Sequence, residues 1–185
     1  MRALWTALLL FAAIGSAVAQ PASKQLGGQI DRWFADLAKA ESAEDAKPLE
    51  DKIEAAFRQS GSPSLDLLIG RAKQAVGGGD SKTAAALVVS INKLAPDFVE
   101  GWRLRATLDA AAGNDASAML ALQKVMTLNP RHFPAMAELA GMLEDFGDKK
   151  AALDLYRKVL ALDPKHESAV DRVRALQRDV EGQGI

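Results

Sequence analysis

Apolar residues recur at helical intervals along most of the chain. The clearest run falls into two blocks: Met136, Leu139, Ala140 and Leu143, then Ala152, Leu155, Tyr156 and Val159. Residues spaced three and four apart share one face of an α-helix. The pattern therefore predicts two amphipathic helices, separated by a turn at Gly147 and Asp148.

The same arrangement returns with a period of 34 residues. The repeated residues are glycines (Gly79, Gly113, Gly147), prolines (Pro96, Pro130, Pro164) and two sets of alanines (Ala72, Ala106, Ala140; Ala84, Ala118, Ala152). Such a period indicates a solenoid of stacked helical hairpins. Each glycine is expected to end a first helix in the left-handed conformation, and each proline follows a second helix that cannot continue through it.

Three units, 65–98, 99–132 and 133–166, resemble tetratricopeptide (TPR) repeats in these columns. Trp102 stands at the large apolar position near the start of its unit, and Tyr156 at the aromatic position of the second helix. The third unit is most similar to the family pattern and the first is least similar. The resemblance implies an all-α fold, an α-solenoid of helix-turn-helix repeats wound into a right-handed superhelix.

Two flanking regions extend the predicted solenoid. Residues 20–64 comprise a flexible leader ending at Gly28 and two helices, Gln29–Ala40 and Glu50–Gln59. Residues 167–185 comprise a capping helix, Ser168–Val180, and a fraying tail. Terminal units of a solenoid are atypical because one face meets solvent. We therefore expect the N-terminal helices to form a degenerate pair ahead of the first repeat.

Residues 1–19 have the pattern of a secretory signal peptide. Arg2 precedes an apolar run from Ala3 to Ile14, and small residues follow at Ala17 and Ala19, which predicts cleavage after Ala19. The run is short for a membrane span, with an uncleaved anchor as the alternative. We expect a periplasmic or secreted protein with no membrane span after cleavage. The chain has no cysteine, which excludes disulfides and thiolate metal sites.

The segment Val76–Ala85 looks at first like a phosphate-binding loop. It has three glycines followed by Lys82 and Thr83. A phosphate-binding loop, however, needs a glycine directly before the lysine and a strand feeding it, and neither is present in the sequence pattern. Gly79 and Asp80 belong instead to the repeat, as the end of one helix and the cap of the next. We therefore interpret the segment as a helix–helix turn.

The sequence offers no recognisable catalytic constellation. His132 and His166 are the two histidines, and they occupy the same repeat column, as residues duplicated with their unit would. We predict no catalytic residue, no metal and no cofactor. The formal net charge is −1, and no basic cluster is present, so bulk electrostatics do not favour nucleic-acid binding.

The TPR resemblance implies that the first helices of successive units line a concave groove for peptides or partner segments. The family's groove positions map here onto six candidates: Ile69, Lys73, Arg103, Thr107, Glu144 and Asp145. Lys73 and Arg103 would place cations at one end, and Glu144 and Asp145 would place anions at the other. The alternative is that these are ordinary solvent-exposed residues.

These expectations combine into a non-enzymatic adaptor of the bacterial envelope that presents a groove to a protein or peptide partner. The alternative is a structural or assembly subunit that docks edge-on into a larger envelope complex. In that case Trp33, Phe34 and the rest of the N-terminal helix pair would form the contact.

Overall fold

The computed structural model describes residues 22–182, which form nine α-helices and no strand within that range. The helices are α1 (Ala22–Leu37), α2 (Ala43–Phe57), α3 (Pro63–Gly77), α4 (Ser81–Leu94), α5 (Val99–Ala111), α6 (Asp115–Leu128), α7 (Phe133–Asp145), α8 (Lys149–Leu162) and α9 (Glu167–Glu181). This confirms the predicted all-α helical-repeat fold. The predicted signal peptide lies outside the described residues.

The repeats are three helical hairpins, α3–α4, α5–α6 and α7–α8, and each second helix also contacts the first helix that follows it. The turns within the hairpins share one geometry, because Gly79, Gly113 and Gly147 have φ values of 75°, 72° and 85°. These values lie in the left-handed region that a residue with a Cβ rarely adopts. The second helices α4, α6 and α8 each end two residues before the repeat proline.

Capping of the second helices differs between the units. The Asp80 side chain accepts from Thr83 N at 3.0 Å, and the Asp148 side chain accepts from Ala151 N at 3.1 Å. Asn114, in the same column, makes no side-chain capping bond within the described chain. The sequence column therefore identifies the cap position but not whether its side chain is used.

Small side chains hold the hairpins close together. All six repeat alanines named above are buried, and this lets the helix backbones approach. The larger repeat residues lie beside them: Tyr156 is buried, and the indole nitrogen of half-buried Trp102 donates to the Pro96 carbonyl at 2.8 Å. The repeats are thus held by close packing of helix backbones and, at the loop between the first and second units, by the hydrogen bond from Trp102.

The N-terminal helix pair does not sit on the first repeat, contrary to our expectation. Phe34, Leu37 and Ile53 pack in one cluster with Phe133 and other residues of the third repeat and α9. Among the described residues, the core of the first repeat contains no side chain from α1 or α2. The pair therefore folds back across the solenoid and leaves the outer side of α3 without that cover.

Both N-terminal helices also begin earlier than predicted. Helix α1 starts at Ala22 and includes Gly27 and Gly28, so the predicted leader is largely helical. Helix α2 starts at Ala43, where Ser42 caps it by accepting from Asp45 N at 3.1 Å. Pro48 therefore lies inside α2. Tertiary packing and a cap have outweighed the helix-breaking tendency of these residues.

The glycine-rich end of α3 allows the stability of the turn between α3 and α4 to be tested by substitution. Gly77 is the last residue of α3, and a Cβ placed there would meet nothing within 4 Å. Gly77→Ala should raise the free energy of unfolding by about 0.5–1 kcal/mol, because alanine loses less backbone entropy on folding. Urea denaturation measures this change. Gly79→Ala is the matched control and should be destabilising, because its φ of 75° disfavours a side chain.

Candidate functional site

A chain of four charged residues crosses the first helices of the three repeats. Lys73 Nζ of α3 lies 2.9 Å from Glu100 Oε1 of α5, and Arg103 Nε lies 3.1 Å from Glu100 Oε2. Arg103 Nη1 then lies 2.8 Å from Glu138 Oε1 of α7. We call Lys73, Glu100, Arg103 and Glu138 the charge ladder. It links three successive first helices by electrostatic contacts.

Glu100 is the centre of the charge ladder because it pairs with both Lys73 and Arg103. Its side chain is also only 1% exposed. Burial alone would lower the pKa of Arg103, but the carboxylates of Glu100 and Glu138 outweigh it and raise that pKa further. Burial raises the pKa of Glu138, although Arg103 opposes the shift. The Lys73 and Arg103 cations predicted to meet a partner are thus already bound to carboxylates of the chain itself.

Of the other four predicted groove residues, two are engaged within the protein and two line an open cleft. Ile69 is 6% exposed and packs in the core of the first repeat, so it does not face a groove. Glu144 pairs with Arg172 of α9, with Arg172 Nε 2.9 Å from Glu144 Oε2. The exposed residues Thr107 and Asp145 are brought together along one cleft.

That cleft lies between α5 and α7 and has a volume of about 520 Å³. Small residues make up much of its lining: Ala106, Ala110, Ala137 and Gly141. Its polar side chains are Thr107, Glu138 and Asp145. We call this the α5–α7 cleft. Its lining therefore combines small side chains with ionisable side chains that are acidic.

A second surface holds the N-terminal helix pair. Phe34 meets Phe133 edge to face with ring centroids 6.2 Å apart, and Phe57 stacks on His132 at 4.9 Å. The Arg131 guanidinium carbon lies 3.9 Å from the centroid of the Phe34 ring. We call Arg131, His132, Phe133 and His166 the α1–α2 seat. It is formed by the loops and helix starts at the N-terminal ends of α7 and α9.

The two histidines of the seat are helix caps. His132 Nδ1 accepts from Ala135 N at 3.1 Å, and His166 Nδ1 accepts from Ala169 N at 3.3 Å. Nδ1 can accept a hydrogen bond only when it carries no proton, so each imidazole ring is neutral and has its proton on Nε2. Burial, aided by Arg103, lowers the pKa of His132 to about 4, and burial likewise lowers the pKa of His166. The sequence signal for this capping role was the shared repeat column of the two histidines, which lies directly before α7 and α9.

A buried carboxyl group lies beside the seat. Asp163 has no solvent exposure, and among the described residues its Oδ2 has no hydrogen-bond partner. Burial and the neighbouring Glu50 of α2 raise the pKa of Asp163 to about 7. The repeat pattern gives no sign of Asp163 and Glu50, because it does not indicate that α2 lies against the loop after α8.

Within residues 22–182, no group of three or more histidine or acidic side chains is placed to hold a metal ion. No helix in the same range has both the length and the apolar character needed to cross a bilayer.

Comparison with known proteins places this geometry in context. No family model matches the chain. A TPR repeat-containing protein of Rhizobium etli is 27% identical over 154 residues, which is 83% of this chain and 76% of the relative.

Solved structures give the fold. The crystal structure of MamA has a TM-score of 0.57 at 18% identity and covers 95% of this chain and 87% of its own. The first TPR of Spaghetti (RPAP3), bound to an HSP90 peptide, has a TM-score of 0.58 at 16% identity and covers 63% of this chain and 93% of its own. Together with the repeat geometry, these likenesses support the TPR resemblance, and the chain has the all-α helical-repeat fold of tetratricopeptide repeat proteins.

Proposed function

We propose that the protein is a non-enzymatic adaptor of the bacterial cell envelope that binds a segment of a protein partner in the α5–α7 cleft. TPR proteins generally mediate protein–protein interaction, and the RPAP3 structure contains a bound peptide. The signal-peptide pattern of residues 1–19 is the reason for placing the adaptor in the envelope.

The observation that carries the proposal is the open cleft of about 520 Å³ between two successive first helices. Its small residues would admit a partner backbone closely, and concave sites with a few polar groups suit ligand segments. The exposed Asp145 favours hydrogen-bond donors or cationic side chains on that segment, whereas Glu138 already accepts from Arg103 of the chain itself. A C-terminal carboxylate is disfavoured, since the chain lacks the groove asparagines of the TPR carboxylate clamp.

Ala110→Trp tests the cleft directly. Ala110 is exposed on α5 and lines the cleft, so an indole there should obstruct the partner without disturbing the core. In a crosslinking pull-down from envelope extract, recovery of the partner should fall roughly tenfold, the change produced by losing about 1.4 kcal/mol of binding. The same mass spectra read the N-terminus of the bait, which we expect to begin at Gln20.

The matched control is Ala116→Trp on the exposed surface of α6, outside the cleft lining. It introduces the same side chain and should capture the partner as the wild type does. Thermal melting of both variants shows that each is folded. Equal recovery by Ala110→Trp and Ala116→Trp would remove the cleft as the binding surface.

A further inference from the structure

We propose that the N-terminal helix pair is an internal ligand of the α1–α2 seat, and that the seat's external partner is an amphipathic helix with an acidic residue, a phenylalanine and a leucine at successive three-residue intervals. This inference rests on the proposed adaptor function, because it supplies that adaptor with a second partner class. The pattern is read from Asp31, Phe34 and Leu37 of α1.

Helix α1 contacts the seat through one face. Asp31 Oδ1 lies 2.6 Å from Arg131 Nη1, and the Phe34 ring contacts both the Arg131 guanidinium and the Phe133 ring. Leu37 is fully buried one turn further on. A helix brings residues spaced by three onto one face, whereas an extended strand alternates them between two faces. The seat is therefore built for a helix.

The charges give this seat its selectivity. The Asp31 side chain is 68% exposed and that of Arg131 is 40% exposed, so the ion pair lies at the margin of the contact. A marginal pair of this kind adds little affinity but fixes orientation and disfavours partners of the wrong charge. The phenylalanine, seated between a cation and an aromatic edge, is the anchor.

One buried group weakens the hold of the helix pair on its seat. Asp163 is fully buried at the contact, where its carboxyl group neighbours that of Glu50, and its Oδ2 finds no donor among the described residues. Burying an unpartnered polar atom offsets part of the gain from apolar contact. Docking is helped instead by the short connection to α3, residues 58–62, since a short linker gives an effective concentration on the order of millimolar.

The test uses the full chain and a fluorescent synthetic peptide of residues 22–40. The double variant Asp31→Lys/Phe34→Ala should empty the seat, and its affinity for the peptide should exceed that of the wild type by roughly tenfold or more, because the tethered competitor is gone. The control variant Asp36→Lys changes an exposed charge on the same helix and should bind the peptide as weakly as the wild type.

A charge reversal separates recognition from nonspecific adhesion. A peptide carrying Asp31→Lys should fail on the emptied seat but bind a protein carrying Phe34→Ala and Arg131→Glu, in which the retained Asp31 of the tethered helix is repelled by the new carboxylate. Circular dichroism checks that each variant keeps its helix content. Absence of binding to the emptied seat, or equal binding by wild type and double variant, would mean that α1–α2 is a fixed structural cap.

The two proposals fail separately. If the peptide does not bind while Ala110→Trp still lowers partner capture, the helix-ligand inference is overturned and the adaptor proposal stands. If the peptide binds with the expected charge dependence, the inference is supported even where capture from extract is insensitive to Ala110→Trp, a result that removes the cleft alone.

Discussion

Arg103→Ala is expected to lower the free energy of unfolding by about 3 kcal/mol. Arg103 is one of two cations that neutralise Glu100, whose side chain is 1% exposed. Removing one partner of a buried ion pair leaves a charge that has lost its solvation without full compensation, and this costs about 3–5 kcal/mol. We take the lower end because Lys73 stays 2.9 Å from Glu100. Urea denaturation near neutral pH measures the loss.

A matched control and a rescue variant make the interpretation specific. Arg157→Ala removes an exposed ion pair with Glu181 and should cost less than about 1 kcal/mol. Adding Glu100→Gln to Arg103→Ala removes the stranded charge and should recover a large part of the loss. If Arg103→Ala costs no more than Arg157→Ala, Glu100 is not held by the charge ladder in solution.

The pairing of Lys73 and Arg103 with Glu100 decides which variants can test the groove. Charge reversal at Lys73 and Arg103 would be the natural experiment if both were free cations waiting for a partner. In the structure both are bound to Glu100, so reversal would disrupt the packing of α3, α5 and α7 and lower partner capture through misfolding. The exposed Ala110 avoids this confusion because it touches the cleft without joining the charge ladder.

The sequence predicted the repeat architecture well because that information is local and is written three times. Gly79, Gly113 and Gly147 recur at a fixed interval, and each takes the left-handed conformation. The charge ladder was not predicted, because Glu100 pairs with Lys73 from another unit and its column carries Asp66 and Pro134 in the other repeats. A periodic pattern identifies what the units share, whereas the ladder depends on how they differ.

The prediction that the N-terminal helix pair stacks on the first repeat was wrong for a related reason. The amphipathic pattern of Ile30, Trp33, Phe34 and Leu37 identifies a face that must be covered, but an apolar face fits many surfaces. The choice of the third repeat depends on specific long-range contacts, such as Asp31 with Arg131 and Phe57 with His132. Phe34, suggested as an external docking residue, is consequently buried within the chain.

The same helix pair covers two groups whose pKa values shift in opposite directions: Glu50 of α2 lies near Asp163, and Phe57 of α2 stacks on His132. The folded state raises the pKa of Asp163 from 3.8 to about 7 through burial and the nearby Glu50, so it binds more protons than the unfolded state. This contribution to stability is fully present below about pH 4 and is lost as the pH rises to about 7.

His132 behaves in the reverse way. Burial and Arg103, opposed by Glu100, lower its pKa from 6.5 to about 4, so the folded state binds fewer protons than the unfolded state. Its contribution is fully present above about pH 6.5 and is lost as the pH falls to about 4. His166 adds to the same trend, since burial lowers its pKa among Glu50, Lys47 and Glu54.

Between about pH 4.5 and 6.5 these effects oppose one another, and single variants should separate them. As the pH rises, Asp163→Asn should gain and His132→Asn should lose about 1.4 kcal/mol of stability per pH unit relative to the wild type, because His166 contributes equally to all three proteins. Asparagine at position 132 keeps an acceptor for the α7 cap. Urea denaturation at several pH values measures the three slopes.

The direction of each slope is the decisive observation, because a change in stability at a single pH could arise from altered packing alone. A variant that merely loosens the contact shifts the free energy of unfolding by a constant and leaves its pH dependence like that of the wild type. Parallel curves for the three proteins would mean that neither Asp163 nor His132 changes its proton affinity on folding. Curves that diverge in opposite directions would mean that α1 and α2 are docked over two buried ionisable groups whose proton affinities change on folding in opposite senses.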